Sequence, residues 1–349
     1  MSNYDFLKKR ERNKTLILVE GPYEKNTILK VMIECFDKLS INISNIYIYK
    51  TDIYDLYHYI EKEYGEHWFE GDVNIDLPLL ISDRFDLNPK LDRRDFTNII
   101  LIFDYEHHDN WYSDEKIQRL QNHFSNSSED GMLYINYPMV EALLHMSSIP
   151  DLEYLNKSIS VKCNSGSKYK SMIRKDSVLF RYLNVYNSIW NYIRKNIFEL
   201  NDRQVDELVF NILSLSDVRS LREDIFTYIK SYNVDMKKLN NMKYSISKQM
   251  ISLEYLGEKI TYWKKLKELL MNVTLQNIEK AWAIQENNFE KIKISKEVYE
   301  KLDWNRILEN QNKAGSNPEF GVIWVLCTCI IFLGEYKFFW TEMENNFIC

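Results

Sequence analysis

The residues best suited to chemistry are carboxylates placed where apolar runs end. Leu16–Lys25 reads LILVEGPYEK and puts Glu20 directly after an apolar run. Ile99–Asp109 reads IILIFDYEHHD and puts Asp104 and Glu106 after another, with Asp109 a little further on. A carboxylate at a strand tip is costly if buried without a partner, and well placed if it binds a cation. Mg²⁺ takes oxygen ligands in an octahedral shell and keeps several waters. Glu20 supplies one ligand, and Asp104 and Glu106 supply two more from a neighbouring strand end. The D-x-E spacing can set both side chains on one side of a turn, and Asp109 could add a fourth group. Metal ions so held activate water and stabilise the leaving oxygen in phosphodiester cleavage.

The elements that would position these groups alternate. Thr15–Glu20 is a compact apolar run ending in Gly21-Pro22 and predicts a buried parallel strand. Glu24–Leu39 carries apolar residues at helical spacing, and Ile46–Tyr49 predicts a second strand. Asp52–Tyr64 predicts a helix with Asp52 at its start. Gly65–Asp95, with Pro78 and Pro89, reads as an irregular excursion. Asn98–Asp104 predicts a third strand, Ser113–Phe124 a helix capped by Ser113, Met132–Asn136 a fourth strand, and Pro138–His145 the start of a helix. This rhythm predicts a mostly parallel sheet covered on both faces, with ligand sites at the carboxyl ends of its strands. The acidic residues fall there.

A second region starts near residue 175, after a stretch at Ser158–Cys163 that could add one more strand. From there the pattern is helical: Val185–Phe198, Asp202–Leu213, Val218–Tyr232 and Met242–Asn272, the last with an apolar stripe through Leu253, Leu256, Ile260, Trp263 and Leu266. The expected class is α/β plus α, with an α/β metal-binding domain over 1–175 and a helical domain over 176–349 for substrate, partner or dimer contacts. With 349 residues the chain suits two domains, and its nine glycines and six prolines favour long helices.

Composition narrows the functions. A formal net charge of −6 argues against bulk coating of nucleic acid, but not against a nuclease whose cations bridge acidic ligands to phosphates. The five cysteines (Cys35, Cys163, Cys327, Cys329 and Cys349) are scattered and signal neither a disulfide framework nor a zinc site, which fits a reducing cytoplasm. The polar N-terminus has no signal-peptide core. Gly321–Gly334 is apolar but spans fourteen residues, against roughly 20 for a bilayer, so a buried segment is expected and no membrane partner. Among basic residues, Lys162, Lys168, Lys170, Arg174 and Lys175 form a run that could contact phosphates or simply be solvated; Lys170 is the candidate transition-state stabiliser. His107 and His108 adjoin the acidic motif, and at least one is expected to be an exposed loop residue. Tyr182, Trp190, Tyr192, Tyr228 and Tyr232 could stack bases, though core packing is the commoner role.

With those motifs in hand, the first half resembles the TOPRIM domain, which has a glutamate-glycine after its first strand and a D-x-D after a later one. Val19–Gly21 (VEG) is similar to the first element, and Phe103–Glu106 (FDYE) to the second, with Glu in place of the final Asp. Asn136–Glu141 (NYPMVE) resembles a segment that carries a further acidic residue in OLD-type and RloB-type proteins, which makes Glu141 the candidate. The resemblance covers roughly residues 14 to 150, the span of one α/β domain. It implies a Mg²⁺- or Mn²⁺-dependent nuclease of bacterial anti-phage defence acting on DNA or tRNA, with Glu20, Asp104 and Glu106 as ligands and Asp109 and Glu141 completing the shell or acting as base. The chain has no P-loop, so an ATPase, if needed, sits on a partner chain. A homodimer is compatible with the helical half. The rival expectations are a non-catalytic sensor subunit controlled by such a partner, and a phosphoryl or nucleotidyl transferase.

Overall fold

The structure is a computed structural model that describes residues 14–39, 41–70, 73–162, 166–232 and 235–347. Most of the N-terminal segment, Cys163 and Cys349 lie outside the described residues. The α/β expectation holds: a five-stranded sheet has the order β2-β1-β3-β5-β4. The strands are β1 (Thr15–Val19), β2 (Ile46–Ile48), β3 (Asn98–Asp104), β4 (Ser125–Asn126) and β5 (Gly131–Asn136). All neighbours are parallel except the short β4, which is antiparallel to β5. Ile17 pairs with Ile46 on one side and Ile100 on the other, and Asp104 pairs with Asn136. Leu16–Val19 and Ile99–Phe103 are wholly buried. Continuous apolar runs without alternation are what a central parallel strand needs, because helices cover both of its faces.

Local signals set most boundaries. Asp52 accepts from the amides of Tyr54 and Asp55 and starts the helix Ile53–Tyr64, and Ser113 accepts from Lys116 and starts Asp114–His123. The expected irregular excursion contains a short helix, Leu77–Arg84, started by Asp76 with Pro78 in its first turn. The run after β1 is a π-helical turn, Glu24–Leu29, followed by the helix Lys30–Cys35. After β5 the chain makes a 3₁₀ turn, Val140–Leu144, in place of a full helix.

Two further expectations need correction. The single helix expected over Met242–Asn272 is two, Met236–Ile251 and Tyr262–Glu286. Between them Glu254 and Lys259 adopt left-handed backbone (φ 64° and 57°), and Thr261 caps the second helix. Helical spacing in the side chains cannot reveal such a break, since both helices bury their faces in one core. The strand expected near Ser158 exists as β6 (Ser158–Ser160), but it joins a separate antiparallel pair with β7 (Val322–Trp324).

The Gly321–Gly334 run is buried against the sheet domain. It contains β7 and a 3₁₀ segment, Thr328–Glu335, that packs on β5 and on the long helix Tyr262–Glu286. Tyr137 and Leu326 exchange backbone hydrogen bonds of 2.8 Å in both directions. Residues far along the chain therefore complete the carboxyl end of the sheet. No helix among the described residues is long and apolar enough to cross a membrane.

Candidate metal centre at the carboxyl end of the sheet

Glu20 lies just past β1, and its backbone is tied to both neighbouring strands: its amide donates to Ile102 and its carbonyl accepts from Lys50. Its Oε2 accepts from the Asp104 amide at 3.0 Å, so the tips of β1 and β3 are joined through a side chain. Asp104 ends β3 and is 6% exposed. Its Oδ1 accepts from the Val140 amide at 2.8 Å and from Asn136 Nδ2 at 3.3 Å. Tyr105 turns away into the core, where its hydroxyl donates to Asn312 at 2.6 Å. Glu106 then adopts left-handed backbone (φ 43°), closed by the Asp109 amide donating to its carbonyl at 2.9 Å. Positive φ in a residue with a Cβ is strained, and here it accompanies the turn that sets Glu106 beside Asp104.

The result is a cluster. Glu20, Asp104 and Glu106 each offer a carboxylate oxygen within 4.8 Å of the others, the group of potential metal ligands found among the described residues. An octahedral Mg²⁺ shell with bonds of about 2.0–2.1 Å spans about 4 Å between opposite ligands. Adjacent ligands in such a shell lie about 3 Å apart, so side-chain shifts of up to about 2 Å would close these oxygens around one ion.

The electrostatics are those of crowded acids. Burial raises the Glu20 carboxyl to about 8; the Asp104 amide opposes this, and Glu106, Glu24 and Asp52 add repulsion. Asp104 is held well above the usual carboxylate range by burial and then by Glu20, Glu24, Glu141 and Glu106. Glu106 is raised by burial, Asp52 and Asp109, with Lys170 opposing. In water-poor surroundings like charges favour the neutral acid, and a bound divalent cation would reverse the balance.

A second lobe adjoins the first. Glu24, one turn beyond Glu20, is buried and raised by burial and by Glu141, with Lys170 opposing. Its Oε2 lies 3.1 Å from where a side chain on Gly21 would begin, so glycine there leaves room for this carboxylate. Glu141 is 1% exposed. Its Oε1 meets Lys170 Nζ at 3.0 Å and Arg174 Nη2 at 3.5 Å, while its Oε2 has no hydrogen-bond partner. Lys170 and Arg174 are four apart on the helix Gly166–Asp176 and therefore share a face.

The structure thus gathers Glu20, Asp104 and Glu106 tightly and brings Glu141 and Lys170 to the adjoining lobe. Asp109 is half-buried at the rim, where its Oδ1 accepts from the Trp111 amide at 2.6 Å and its charge acts on Glu106. His108 is exposed, as expected of at least one of the pair. His107 packs 4.5 Å from the Tyr112 ring, outside the carboxylate group. Of the helical aromatics, Tyr182 is buried, whereas Tyr228 is 39% exposed.

Sequence reasoning gave no role at the site to Glu24, Asp52 or Asn136. Glu24 follows Glu20 by four residues at a helix start, a readable signal. Asn136 is the polar end of an apolar strand, but its partner across the sheet, Asp104, becomes visible only with the register. No family model, no curated protein and no solved structure matches this chain.

Proposed function

We propose that this chain is a divalent-metal-dependent nuclease with a TOPRIM-like catalytic sheet. The observation that carries the reading is the convergence of Glu20, Asp104 and Glu106 at the carboxyl ends of adjacent parallel strands, where the acids repel one another without a cation. Binding sites in such sheets lie at that end, and three oxygen donors suit Mg²⁺ or Mn²⁺.

Bound there, the ion would supply an activated water and a counter-charge to the phosphate. The chain's own groups do the rest. Asp104 is fixed through Oδ1 by Asn136 and the Val140 amide, which limits its freedom at the cluster. Glu141 anchors Lys170, whose ammonium opposes the charges of Glu24 and Glu106 and is placed to oppose negative charge developing on a phosphate. Asp109 extends the acidic rim. On a chain of net charge −6 the cation also removes the repulsion that a nucleic acid would otherwise meet. We infer from the resemblance to OLD-type and RloB-type proteins a role in bacterial, cytoplasmic anti-phage defence, with an ATPase on another chain as controller and a homodimer as the assembly.

The test is cleavage of plasmid DNA, single-stranded DNA and total tRNA with Mg²⁺, Mn²⁺ or EDTA, beside Glu20→Gln. Metal-dependent cutting that disappears in the variant supports the reading and names the substrate. Absent cutting, together with absent Mn²⁺ binding by calorimetry, would make the chain a non-catalytic interaction subunit.

A further inference from the structure

Beyond the carboxylates, the turn after Glu106 carries Trp111, which is 61% exposed although it is among the largest apolar side chains. It is tethered to the site: its amide donates to Asp109 at 2.6 Å, and Asp109 in turn closes on Glu106. Its ring lies edge-on to His58 at 5.1 Å, with Lys116 Nζ 5.5 Å from its centre. His58 is on the helix that Asp52 starts, and Asp52 raises both Glu20 and Glu106. Six residues of helix rise about 9 Å, so His58 stands about that far along its helix from Asp52.

The surface continues in the same manner. Asp114–His123 starts beside Trp111 and runs about 15 Å toward the other end of the sheet. One turn past Lys116, Arg119 lies 3.6 Å over the Phe69 ring and donates to the Tyr57 hydroxyl at 2.9 Å, with exposed Glu115 as its acidic neighbour. The helix ends at an open cleft of about 430 Å³ whose lining includes Phe69, Asn74, Arg119, Asn122, His123 and Asp130.

Aromatic faces alternating with single cations and amides, leading away from phosphodiester chemistry, suit unpaired nucleobases: every base has a face to stack, whatever the sequence. A base within a duplex cannot reach such a plate without leaving the stack. We propose that Trp111, Lys116 and Arg119 form a track for single-stranded nucleic acid, with Trp111 stacking a base near the scissile phosphate and the Phe69 cleft receiving the strand further along. This inference rests on the nuclease reading above.

The experiment measures binding of fluorescein-labelled oligonucleotides by anisotropy, with Ca²⁺ replacing Mg²⁺. The probes are ten-nucleotide single-stranded DNA, the RNA of the same sequence, a four-nucleotide piece and the duplex. Trp111→Ala should weaken the single strands about tenfold, with Trp111→Phe recovering most of the loss. Lys116→Gln should flatten the salt dependence by about 0.7 in log–log slope. Phe69→Ala should weaken the ten-nucleotide probes and spare the four-nucleotide one, and the RNA–DNA pair shows which sugar is preferred. Unchanged affinity in Trp111→Ala, or a wild-type preference for duplex, overturns the track. Mn²⁺ calorimetry and hydrolysis of bis(p-nitrophenyl) phosphate by the wild type report the carboxylates alone. If these succeed while Trp111→Ala binds normally, only the track falls; if these fail, the metal reading falls with it.

Discussion

Two buried polar clusters lie within a few residues of each other and are built on opposite plans. Beneath the long helix Tyr262–Glu286, Lys280 is fully buried and donates to the carbonyls of Tyr154 (2.6 Å) and Lys157. Asp151 accepts from Lys157 Nζ at 2.7 Å and from the amides of Ser147 and Glu153. Gln276 bonds both the amide and the carbonyl of Asp151. Each of these polar groups has a hydrogen-bond partner. At the sheet end, in contrast, Glu20, Glu24, Asp104 and Glu106 repel one another and one oxygen of Glu141 has no partner. A cluster that only holds a fold together satisfies its groups, since unpaired ones are expensive. Tolerated repulsion marks a place shaped for something else to bind.

The largest effect should come from removing the repulsion. Glu20→Gln and Asp104→Asn should each lower metal-dependent cleavage at least about a hundredfold, because outer partners of metal ligands alone cost 10–100-fold. The same Glu20→Gln protein should melt higher than wild type without metal. Calorimetry in EDTA checks this, and a lower melting temperature would remove the contrast.

The satisfied cluster should respond the other way. Lys280→Met keeps the length but strands two buried carbonyls, a loss of about 3 kcal/mol, read by urea denaturation. Asn136→Ala should cost a similar or slightly smaller amount: its Oδ1 accepts from the amides of Thr328 (3.1 Å) and Cys329 (3.0 Å), and its Nδ2 steadies Asp104. It should also weaken Mn²⁺ binding about tenfold, a readout that loss of packing alone would not move.

The smallest effect is in pH. The Glu20 carboxyl is raised from 4.5 to about 8, so the folded chain holds a proton that the unfolded chain has lost. That contribution is full at acid pH and fades as pH rises toward 8. Lys280 is depressed well below 10.5 by burial, so its contribution has the opposite slope and grows as pH rises. Melting curves in EDTA from pH 5 to 9 should lose the falling component in Glu20→Gln and the rising one in Lys280→Met. Saturating Mg²⁺ should raise stability more at pH 8 than at pH 5, since only ionised carboxylates bind it.

Much of this was legible in the sequence because apolar runs report burial directly. TLILV, NIILIFD and MLYIN could only be inner strands, and their order placed Glu20 and Asp104 at the same end. Asp52 and Ser113 announced their helices by capping chemistry. What could not be read depended on register and distance. The D-x-E spacing announced Glu106 beside Asp104, but no pattern predicts the left-handed turn at a glutamate that sets it there. The break between Ile251 and Tyr262 lies inside an unbroken apolar stripe. The supports of Asp104 come from Asn136 and, behind it, from residues near 328.

That last dependence bears on how the protein is made. Asn136 and Thr328 are separated by 192 positions, yet one hydrogen-bonds the other behind Asp104. A ribosome that has released the whole sheet still holds the segment that secures Asn136, so loop closure over nearly two hundred residues comes last. During synthesis the acidic tips stand together without their backing. The carboxylate cluster therefore gains its backing only after the segment near residue 328 has folded against Asn136.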